Sequence, residues 1–438
     1  MNRATVIGGG FAGVEAAWRL AREGVRTTLI EMKPLKYSPA HTMPGLAEPV
    51  CSNSLKSQRT ASASGLLKAE MRLAGSLCLA CADLARIPAG GALAVDRALF
   101  SRLVTERIEN EPLIELVRME ALEVPKKGVC VVAAGPLASD ALALSIRALC
   151  GGALSFYDAA APIVTAESID MSRAFPQSRY GRGEESDYIN CPLNREEYER
   201  FHAALAVAEV APLRDFDRRP SYYEGCMPVE VLAKRGSDTL RFGPMKPIGL
   251  RDPATGHRPW AVLQLRKENL EGSLYNMVGF QTNLVFSEQK RVFFMIPALS
   301  NAEFARLGVM HRNTFIDSPR LLDSGLSFRA REGLFFAGQI TGVEGYMESA
   351  ASGIVAGINA ARLLRGETPL VFPPETMTGA LCAYISDPSV KDFQPMGANF
   401  GILPPPDLPV KDKQSRYEAY ARRGIEKMRE VLQLANHC

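Results

Sequence analysis

The sequence has 438 residues, of which 47% are hydrophobic and 23% charged, a composition typical of a globular protein with a sizeable core. Its net charge of +3 is too small to indicate nucleic-acid binding by itself. No apolar run reaches the roughly 18 residues that a membrane-spanning helix needs. The N-terminus runs directly into a strand pattern and has no room for a signal peptide, so we expect a cytoplasmic protein with no membrane partner.

The N-terminal residues have the pattern of a nucleotide-binding βαβ unit. A short β-branched strand, residues 5–7, is followed by GxGxxG, in which the glycines are Gly8, Gly10 and Gly13. In this motif the first glycine allows a tight turn, the second lets a pyrophosphate approach the backbone, and the third lets helix and strand pack closely. The helix predicted at residues 14–22 would direct its N-terminus at the phosphates.

An acidic residue completes the unit. The second strand is predicted at residues 27–30 and leads to Glu31, which lies 18 residues after Gly13. A carboxylate at this position binds the ribose of a dinucleotide, and it favours a free 2′-hydroxyl over a 2′-phosphate.

Two later segments favour FAD over NAD as the bound dinucleotide. One is a strand that leads to Gly338, a glycine-containing loop and a small-residue helix from about Glu348; the other is a buried strand that ends near Gly135. Flavoproteins commonly close their flavin site with such a strand–glycine–helix element, although most have Asp where this chain has Gln339. The FAD-binding residues that we predict are Gly8, Gly9, Gly10, Phe11, Ala12, Gly13, Glu31, Gly135, Gly338, Gln339, Gly345 and Tyr346.

The nine cysteines do not indicate a disulfide framework, because their number is odd and the chain is long. The five histidines include no pair at helical ligand spacing, so we predict no metal site. Cys78 and Cys81 form a CxxC pair, which suggests redox chemistry or zinc. Their segment has helical periodicity and no second cysteine pair, so we predict that both pack in the core.

Several motifs together resemble the TrmFO family, a relative of the larger GidA proteins. They are "GGGFAGVEAAW", "EPVCSNSL", "AAGPLAS", "YYEGCMPVE", "GFQTNL", "HRNTFI", "AGQITGVEGYMESAASG" and "DFQPMGANFG". The resemblance implies an α/β fold: a Rossmann-like FAD-binding domain interrupted by a smaller α+β domain. We place the FAD domain at residues 1–170 and 329–438, and the insertion at 171–328.

The resemblance also implies an activity. In TrmFO enzymes a one-carbon unit passes from 5,10-methylenetetrahydrofolate by way of FAD to carbon 5 of a uridine in the T-arm of tRNA, and NADPH or NADH supplies the electrons. Alternatives are a GidA-like module that modifies the wobble uridine, and a related enzyme that methylates ribosomal RNA. A third is an NADH-dependent flavin disulfide reductase, for which Cys51 lacks a close partner in the sequence.

Two cysteines are candidates for catalysis. Carbon 5 of uracil becomes nucleophilic only after a nucleophile adds at carbon 6, and a base must later remove the carbon-5 proton. A thiolate can serve either purpose. By resemblance, Cys226 adds to uracil, and Cys51 lies beside the flavin as the base or as a guard of the methylene adduct. The alternative for each is a small buried hydrophobe, the commoner role of a free cysteine.

The predicted insertion contains polar residues suited to RNA or folate, since Arg pairs with phosphate and amides can read base edges. Any of them can instead satisfy buried backbone groups. These residues are Gln264, Arg266, Gln281, Asn283, Arg312 and Asn313.

Overall fold

The computed structural model describes residues 3–152, 154–181, 187–211, 227–308, 310–391, 393–406 and 411–436. In these ranges no helix is both long and apolar enough to cross a membrane. The same ranges contain no group of three or more His, Cys, Asp or Glu side chains that could hold a metal ion.

The described residues form sixteen strands. The first eight are β1 (Arg3–Ile7), β2 (Arg26–Glu31), β3 (Ser54–Ser57), β4 (Arg86–Ile87), β5 (Ala92–Val95), β6 (Ile114–Arg118), β7 (Val129–Val132) and β8 (Leu154–Ala159). The other eight are β9 (Ile163–Thr165), β10 (Phe175–Pro176), β11 (Tyr188–Leu193), β12 (Ala261–Lys267), β13 (Leu274–Met277), β14 (Phe304–Arg306), β15 (Met310–Phe315) and β16 (Leu334–Phe336).

The helices in the described residues are likewise numbered in chain order. The first six are α1 (Phe11–Arg22), α2 (Ala63–Leu73), α3 (Leu77–Leu84), α4 (Arg97–Glu109), α5 (Asp140–Cys150) and α6 (Arg195–Ala206). The others are α7 (Val229–Lys234), α8 (Thr239–Phe242), α9 (Phe286–Phe293), α10 (Ser318–Leu321), α11 (Tyr346–Leu364), α12 (Met377–Ser386) and α13 (Lys413–Asn436).

The first sheet is parallel and carries the nucleotide-binding unit. Its strand order is β16-β7-β1-β2-β6, and every neighbouring pair runs in the same direction. The carboxyl ends of β1, β2 and β7 therefore open on the same edge of the sheet, where α/β proteins bind their ligands. Strand β16 pairs with β7 although about 200 residues separate them. The FAD-domain strands thus come from both ends of the chain, and the predicted fold class is confirmed.

The second sheet is antiparallel and comes from the middle of the chain. Its strand order is β10-β11-β12-β13-β9-β14, so its members extend from Ile163 to Arg306. Strands β8 and β15, which flank this stretch, pair with each other in a separate two-stranded ribbon. The insertion limits at 171 and 328 stay a prediction; strand β9, which precedes residue 171, pairs within the second sheet.

Helices α1 and α11 pack closely because small residues face each other where they cross. A Cβ added to Gly353 would lie 2.8 Å from the carbonyl carbon of Ala12, and one added to Gly357 would lie 2.9 Å from the carbonyl oxygen of Ala16. Both distances are too short for a side chain, so the glycines are needed for this packing. The crossing brings the N-termini of the two helices, and the loops before them, to the same edge of the first sheet.

Candidate active site

The glycine-rich turn after β1 has the conformation that the motif predicts. Gly8 has φ +102°, in the region that favours glycine. A Cβ added to Gly13 would collide with the carbonyl oxygen of Gly8, so Gly13 allows the helix to approach the strand. Gly10 is different, because a Cβ added there meets no atom within 4 Å.

The open space at Gly10 belongs to two cavities. The first cavity, of about 630 Å³, lies at the ends of β1 and β2. Of the predicted residues, its walls include Gly8, Gly9, Gly10, Glu31 and Gly135. A Cβ added to Gly135 likewise meets no atom within 4 Å, and its φ is +68°. Two glycines thus leave backbone exposed to a ligand, as a bound pyrophosphate requires, and the residues fit FAD here.

Glu31 is held at the wall of the first cavity by backbone donors. The carboxylate is buried. Its Oε2 accepts a hydrogen bond of 2.7 Å from the backbone N–H of Gly9, and its Oε1 accepts one of 2.9 Å from that of Lys33. These bonds join the end of β2 to the glycine-rich turn and fix the acid beside the space for a nucleotide ribose.

The second cavity, of about 810 Å³, shares Gly10, Gly135, His41 and Glu48 with the first. It adds five of the predicted residues, which are Phe11, Ala12, Gly338, Gln339 and Tyr346. The structure therefore brings the N-terminal motif and the distant Gly338–Tyr346 segment to one continuous channel. Gly13 does not line either cavity, and it contributes through packing.

Glu48, which the sequence analysis did not single out, organises one wall of this channel. Its Oε1 accepts hydrogen bonds from the backbone N–H and the hydroxyl of Thr42, at 2.9 and 3.0 Å, and its Oε2 accepts one of 3.2 Å from the N–H of Met43. It also pairs with buried Lys33 at 3.4 Å. Burial lowers the pKa of Lys33, and the charges of Glu31 and Glu48 oppose this shift.

The third cavity, of about 970 Å³, adjoins the second, with which it shares Cys51, Gln339, Tyr346, Val50 and Ser349. Its further walls include Gly345, Ser52, Lys56, Gln281, Glu344 and Glu348. Cys51 therefore lies at the boundary between the channel that fits FAD and a second space. A thiol placed there has access to groups bound on either side.

The backbone beside Cys51 is anchored by Tyr346. The phenolic oxygen of Tyr346 accepts hydrogen bonds from the N–H of Cys51 at 2.7 Å and from that of Ser52 at 3.1 Å. The Tyr346 ring stacks on Phe11 with centroids 4.7 Å apart, and Phe11 stacks on Phe100 at 5.5 Å. Burial, and secondarily the nearby Cys51 thiol, raise the pKa of Tyr346, so this phenol stays neutral.

Three arginines hold the loop that carries Cys51. Arg97 donates to the carbonyl of Pro49 at 2.6 Å, and Arg306 donates to that of Val50 at 3.2 Å. Arg266 donates to the hydroxyl of Ser52 at 2.9 Å. Arg266 and Arg306 lie on β12 and β14 of the second sheet, and Arg97 is the first residue of α4, so the second sheet and this helix together hold the loop. Sequence reasoning missed Arg97 and Arg306, since nothing in their local pattern marks them.

Arg97 also forms an ion pair with Glu268. Both side chains are almost fully buried, so each neutralises a charge that would otherwise be costly to bury. Burial and the proximity of Arg97 lower the pKa of Arg306.

Cys226 lies outside the described residues, together with the aromatic residues that precede it. The described chain resumes at Met227, and the N–H of Val229 donates a 2.8 Å hydrogen bond to the carbonyl of Gln281. Gln281 is a wall residue of the third cavity. The assignment of Cys226 as nucleophile stays a prediction.

Three of the polar residues suggested for RNA or folate have internal partners instead. Gln264 accepts from Arg179 and donates to Asn190, at 2.7 and 2.9 Å. Asn283 donates to a backbone carbonyl, and Arg266 holds the Cys51 loop. All three are buried, so they stabilise the fold. Gln281 lines the third cavity, whereas the side chains of Arg312 and Asn313 lie outside the described part.

Cys78 and Cys81 are buried in the main apolar core. They lie on α3, and the predicted helical segment is broken into α2 and α3 around Gly75. Burial raises the pKa of Cys81 to about 11 and that of Cys78 well above its ordinary value. Thiols in this environment are poor nucleophiles, in agreement with the prediction of core packing.

The chain matches a GidA-type family model, and its fold matches that of a GidA protein. A family model described as Glucose inhibited division protein A matches residues 3–368. The structure of GidA from Aquifex aeolicus in the form II crystal superposes with a TM-score of 0.72 at 19% identity, and the match covers 98% of this chain and 73% of that one. At such low identity the likeness shows the fold alone.

Sequence relatives are much more similar. A protein of Geobacter sulfurreducens named methylenetetrahydrofolate--tRNA-(uracil-5-)-methyltransferase TrmFO is 60% identical over 412 residues, which are 94% of this chain and 95% of the relative. A protein of Acetivibrio thermocellus with the same name is 57% identical over 428 residues, 98% of each chain. The chain therefore belongs to the TrmFO family, and the resemblance seen in the sequence is confirmed.

Proposed function

We propose that this protein uses methylenetetrahydrofolate to methylate carbon 5 of a uridine in tRNA, with FAD bound in the channel formed by the first and second cavities. The names of the relatives support the reaction. The observation that carries the proposal is the position of Cys51, at the boundary between this channel and the third cavity. One side has room for the cofactor, and the other for the base and the folate.

FAD would be held by backbone more than by side chains. Gly10 and Gly135 leave open space for the pyrophosphate, Glu31 faces the ribose region, and the N-terminus of α1 provides a favourable dipole. When bound and reduced, the flavin supplies an acceptor for the one-carbon unit and the electrons of the reaction. NADPH or NADH is the proposed source of those electrons.

The two cysteines would divide the chemistry of the uracil ring. Cys226, as thiolate, adds to carbon 6, and the electron pair of the carbon 5–carbon 6 bond moves to give an enolate. After carbon 5 has gained its new bond to the one-carbon unit, a thiolate at Cys51 accepts the carbon-5 proton. Loss of that proton lets the bond between the one-carbon unit and its carrier break, which leaves a methylene at carbon 5. A hydride, which the reduced flavin would supply, converts this methylene to methyl as Cys226 leaves carbon 6 and the carbon 5–carbon 6 double bond reforms. The anchored backbone of Cys51 keeps the proton acceptor in one position during these steps.

The source of the carbon tests the proposal. In a reconstituted assay with unmodified tRNA, NADPH and [14C]methylenetetrahydrofolate, label should appear in uracil, and addition of S-adenosylmethionine should not change the rate. Transfer of label from S-adenosylmethionine to uracil, at a rate that does not depend on added folate, would refute the mechanism.

The finer proposal is that the target uridine lies in the T-arm. A T-arm stem-loop should be methylated, whereas an anticodon stem-loop and a fragment of ribosomal RNA should not. Methylation of the anticodon loop would support a GidA-like wobble activity, and methylation of the ribosomal fragment would support an RNA target of another class.

A further inference from the structure

The arginines that hold the Cys51 loop carry a surplus of positive charge. Together with the two carboxylates beside them they are called here the arginine cluster, whose members are Arg97, Arg266, Arg306, Asp96 and Glu268. Glu268 pairs with Arg97, and Asp96 is the N-cap of α4 that immediately precedes Arg97. Three guanidiniums beside two carboxylates leave one positive charge unbalanced within the cluster. An unbalanced charge is costly away from water, so the cluster favours a further negative charge close by.

Arg306 is the member of the cluster that lies next to Cys51 in space. Its Nη2 donates a 3.2 Å hydrogen bond to the carbonyl of Val50, which is an uncharged acceptor. Its Nε is buried and has no hydrogen-bond partner in the part of the chain that the structure describes. The guanidinium is always protonated in proteins, so its charge acts on the ionisable groups beside it.

Two phenols lie close to arginines of the cluster, but they do not provide the negative charge. Tyr188 acts on Arg266, and Tyr346 acts on Arg306. Burial raises the pKa of both phenols. Since the ordinary pKa of a tyrosine is already about 10, both are neutral near pH 7.

The thiol of Cys51 is a further ionisable group beside Arg306. Burial lowers the pKa of Arg306, and a negative charge on Cys51 opposes that shift. The interaction between two charges is reciprocal, so the guanidinium favours the thiolate of Cys51 over the thiol. Other polar and charged side chains line the cavities next to Cys51, and these have partners of their own: Lys56 with Glu348, Lys33 with Glu48, His41 with Ser38, and Glu344 with Gln339.

We propose that Arg306 is a positioning residue that stabilises the thiolate of Cys51; the use of this thiolate as proton acceptor rests on the proposed function. None of the three arginines is among the described residues that line the three cavities. Arg306 therefore acts on the reaction through Cys51. After the thiolate has accepted the carbon-5 proton, the same positive charge favours release of that proton to water, which regenerates the base.

Alkylation of the FAD-loaded protein tests the inference, because iodoacetamide reacts with a thiolate and not with a thiol. Peptide mass spectrometry gives the rate at Cys51, measured at pH 7 and at a high pH where thiols are ionised. The ratio of the two rates should fall about 10-fold in Arg306→Gln, since an adjacent opposite charge changes ionisation by at least that order. Arg306→Lys keeps the charge and should keep most of the ratio. Arg320→Met, at an arginine whose side chain is 77% exposed, is the matched control and should leave the ratio unchanged.

The ratio distinguishes the charge of Arg306 from its hydrogen bond. A loop that has merely moved would change the rate of alkylation at both pH values, whereas loss of the charge should change mainly the rate at pH 7. Flavin content shows whether each variant is folded. An unchanged ratio in folded Arg306→Gln overturns the inference.

The wild type provides a second test that needs no variant. Cys150 is also partly buried, and burial raises its pKa to about 11. The ratio of the rate at pH 7 to the rate at high pH should therefore be at least about 10-fold larger for Cys51 than for Cys150. Equal ratios overturn the inference. A protein whose Cys51 reacts as expected, but which does not methylate tRNA from the folate, supports the inference and refutes the proposed function alone.

Discussion

The hydroxyl of Tyr346 and the backbone of Cys51 are joined by a 2.7 Å hydrogen bond across 295 residues of sequence. In this bond the tyrosine oxygen is the acceptor, and the same oxygen also accepts from Ser52. The ring below it is fixed by stacking on Phe11, at the start of α1. The first turn of α11 thereby sets the distance between the candidate catalytic thiol and the helix that faces the nucleotide.

Tyr346→Phe should lower methylation while FAD remains bound. The change keeps the ring stack and removes the acceptor of two partly buried N–H groups, each of which costs up to about 1–3 kcal/mol when left unpaired. A loss of that size corresponds to a rate decrease of about 10- to 100-fold if it falls on the transition state. Steady-state kinetics and flavin absorbance measure the two quantities. Tyr384→Phe, which removes a single hydrogen bond to Gln394, is the control.

Gly10→Val should cost most of the bound FAD. The space that its side chain would fill is open in this structure and lies on the walls of the first and second cavities. Gly91→Val is a matched control, because that glycine also has open space around it but lies on the exposed surface away from the cavities. Full flavin occupancy in purified Gly10→Val would show that the pyrophosphate binds elsewhere.

RNA that contains 5-fluorouridine should become covalently attached to the wild type, because fluorine cannot leave carbon 5 as a proton does. Cys226→Ala should abolish the adduct and keep FAD, whereas Cys51→Ala should keep the adduct and lose turnover. Denaturing electrophoresis detects the complex. An adduct that persists in Cys226→Ala and is lost in Cys51→Ala would exchange the two roles. As a control, the double change of Cys78 and Cys81 to Ala should leave the covalent adduct intact.

Lys68→Met should raise the free energy of unfolding and make it depend less on pH. Burial lowers the pKa of Lys68 from its ordinary value of 10.5 to about 7. Between pH 7 and 10.5 the unfolded chain binds more protons than the folded protein, so the free energy of unfolding of the wild type should rise with pH. Below about pH 7 Lys68 is charged in both states, and the full cost of burying its charge lowers the stability. Removing that cost should add about 3–5 kcal/mol near neutral pH.

Denaturant unfolding at several pH values between 6 and 10 measures the effect. The variant should have a smaller slope of unfolding free energy against pH than the wild type over this range. Lys36→Met, at a lysine whose side chain is half exposed, is the control and should leave the slope unchanged. Equal slopes for Lys68→Met and the wild type would show that this ammonium is not buried in solution.

The nucleotide unit could be predicted because its determinants are local. The glycine pattern, the following helix and Glu31 lie within one stretch of chain, and each residue type has a steric or electrostatic reason to be there. The flavin-closing segment at Gly338 was also predictable, since it repeats the same strand–glycine–helix chemistry. The motifs carried the family assignment, which the relatives confirm.

The hydrogen bonds that hold the Cys51 loop could not be predicted, because they join residues that are far apart in the sequence. Arg97 and Arg306 look like ordinary surface residues in the sequence, and only the folded chain brings them to the Cys51 loop. For Arg266 and Gln264 the sequence left two roles open, ligand binding or hydrogen bonding within the protein. Their polarity suggested a ligand, whereas their burial between strands makes them hydrogen-bonding partners of the protein itself.

The attachment of the 48–55 loop to the second sheet has a consequence for exchanging parts between relatives. A chimera that receives residues 163–306 from a diverged donor would receive new partners for Ser52 and Val50 in place of Arg266 and Arg306. The loop and residues 163–306 therefore have to be exchanged together, although more than a hundred residues separate them. Transplanting them together should preserve turnover, while transplanting either one alone should yield a yellow but slow enzyme.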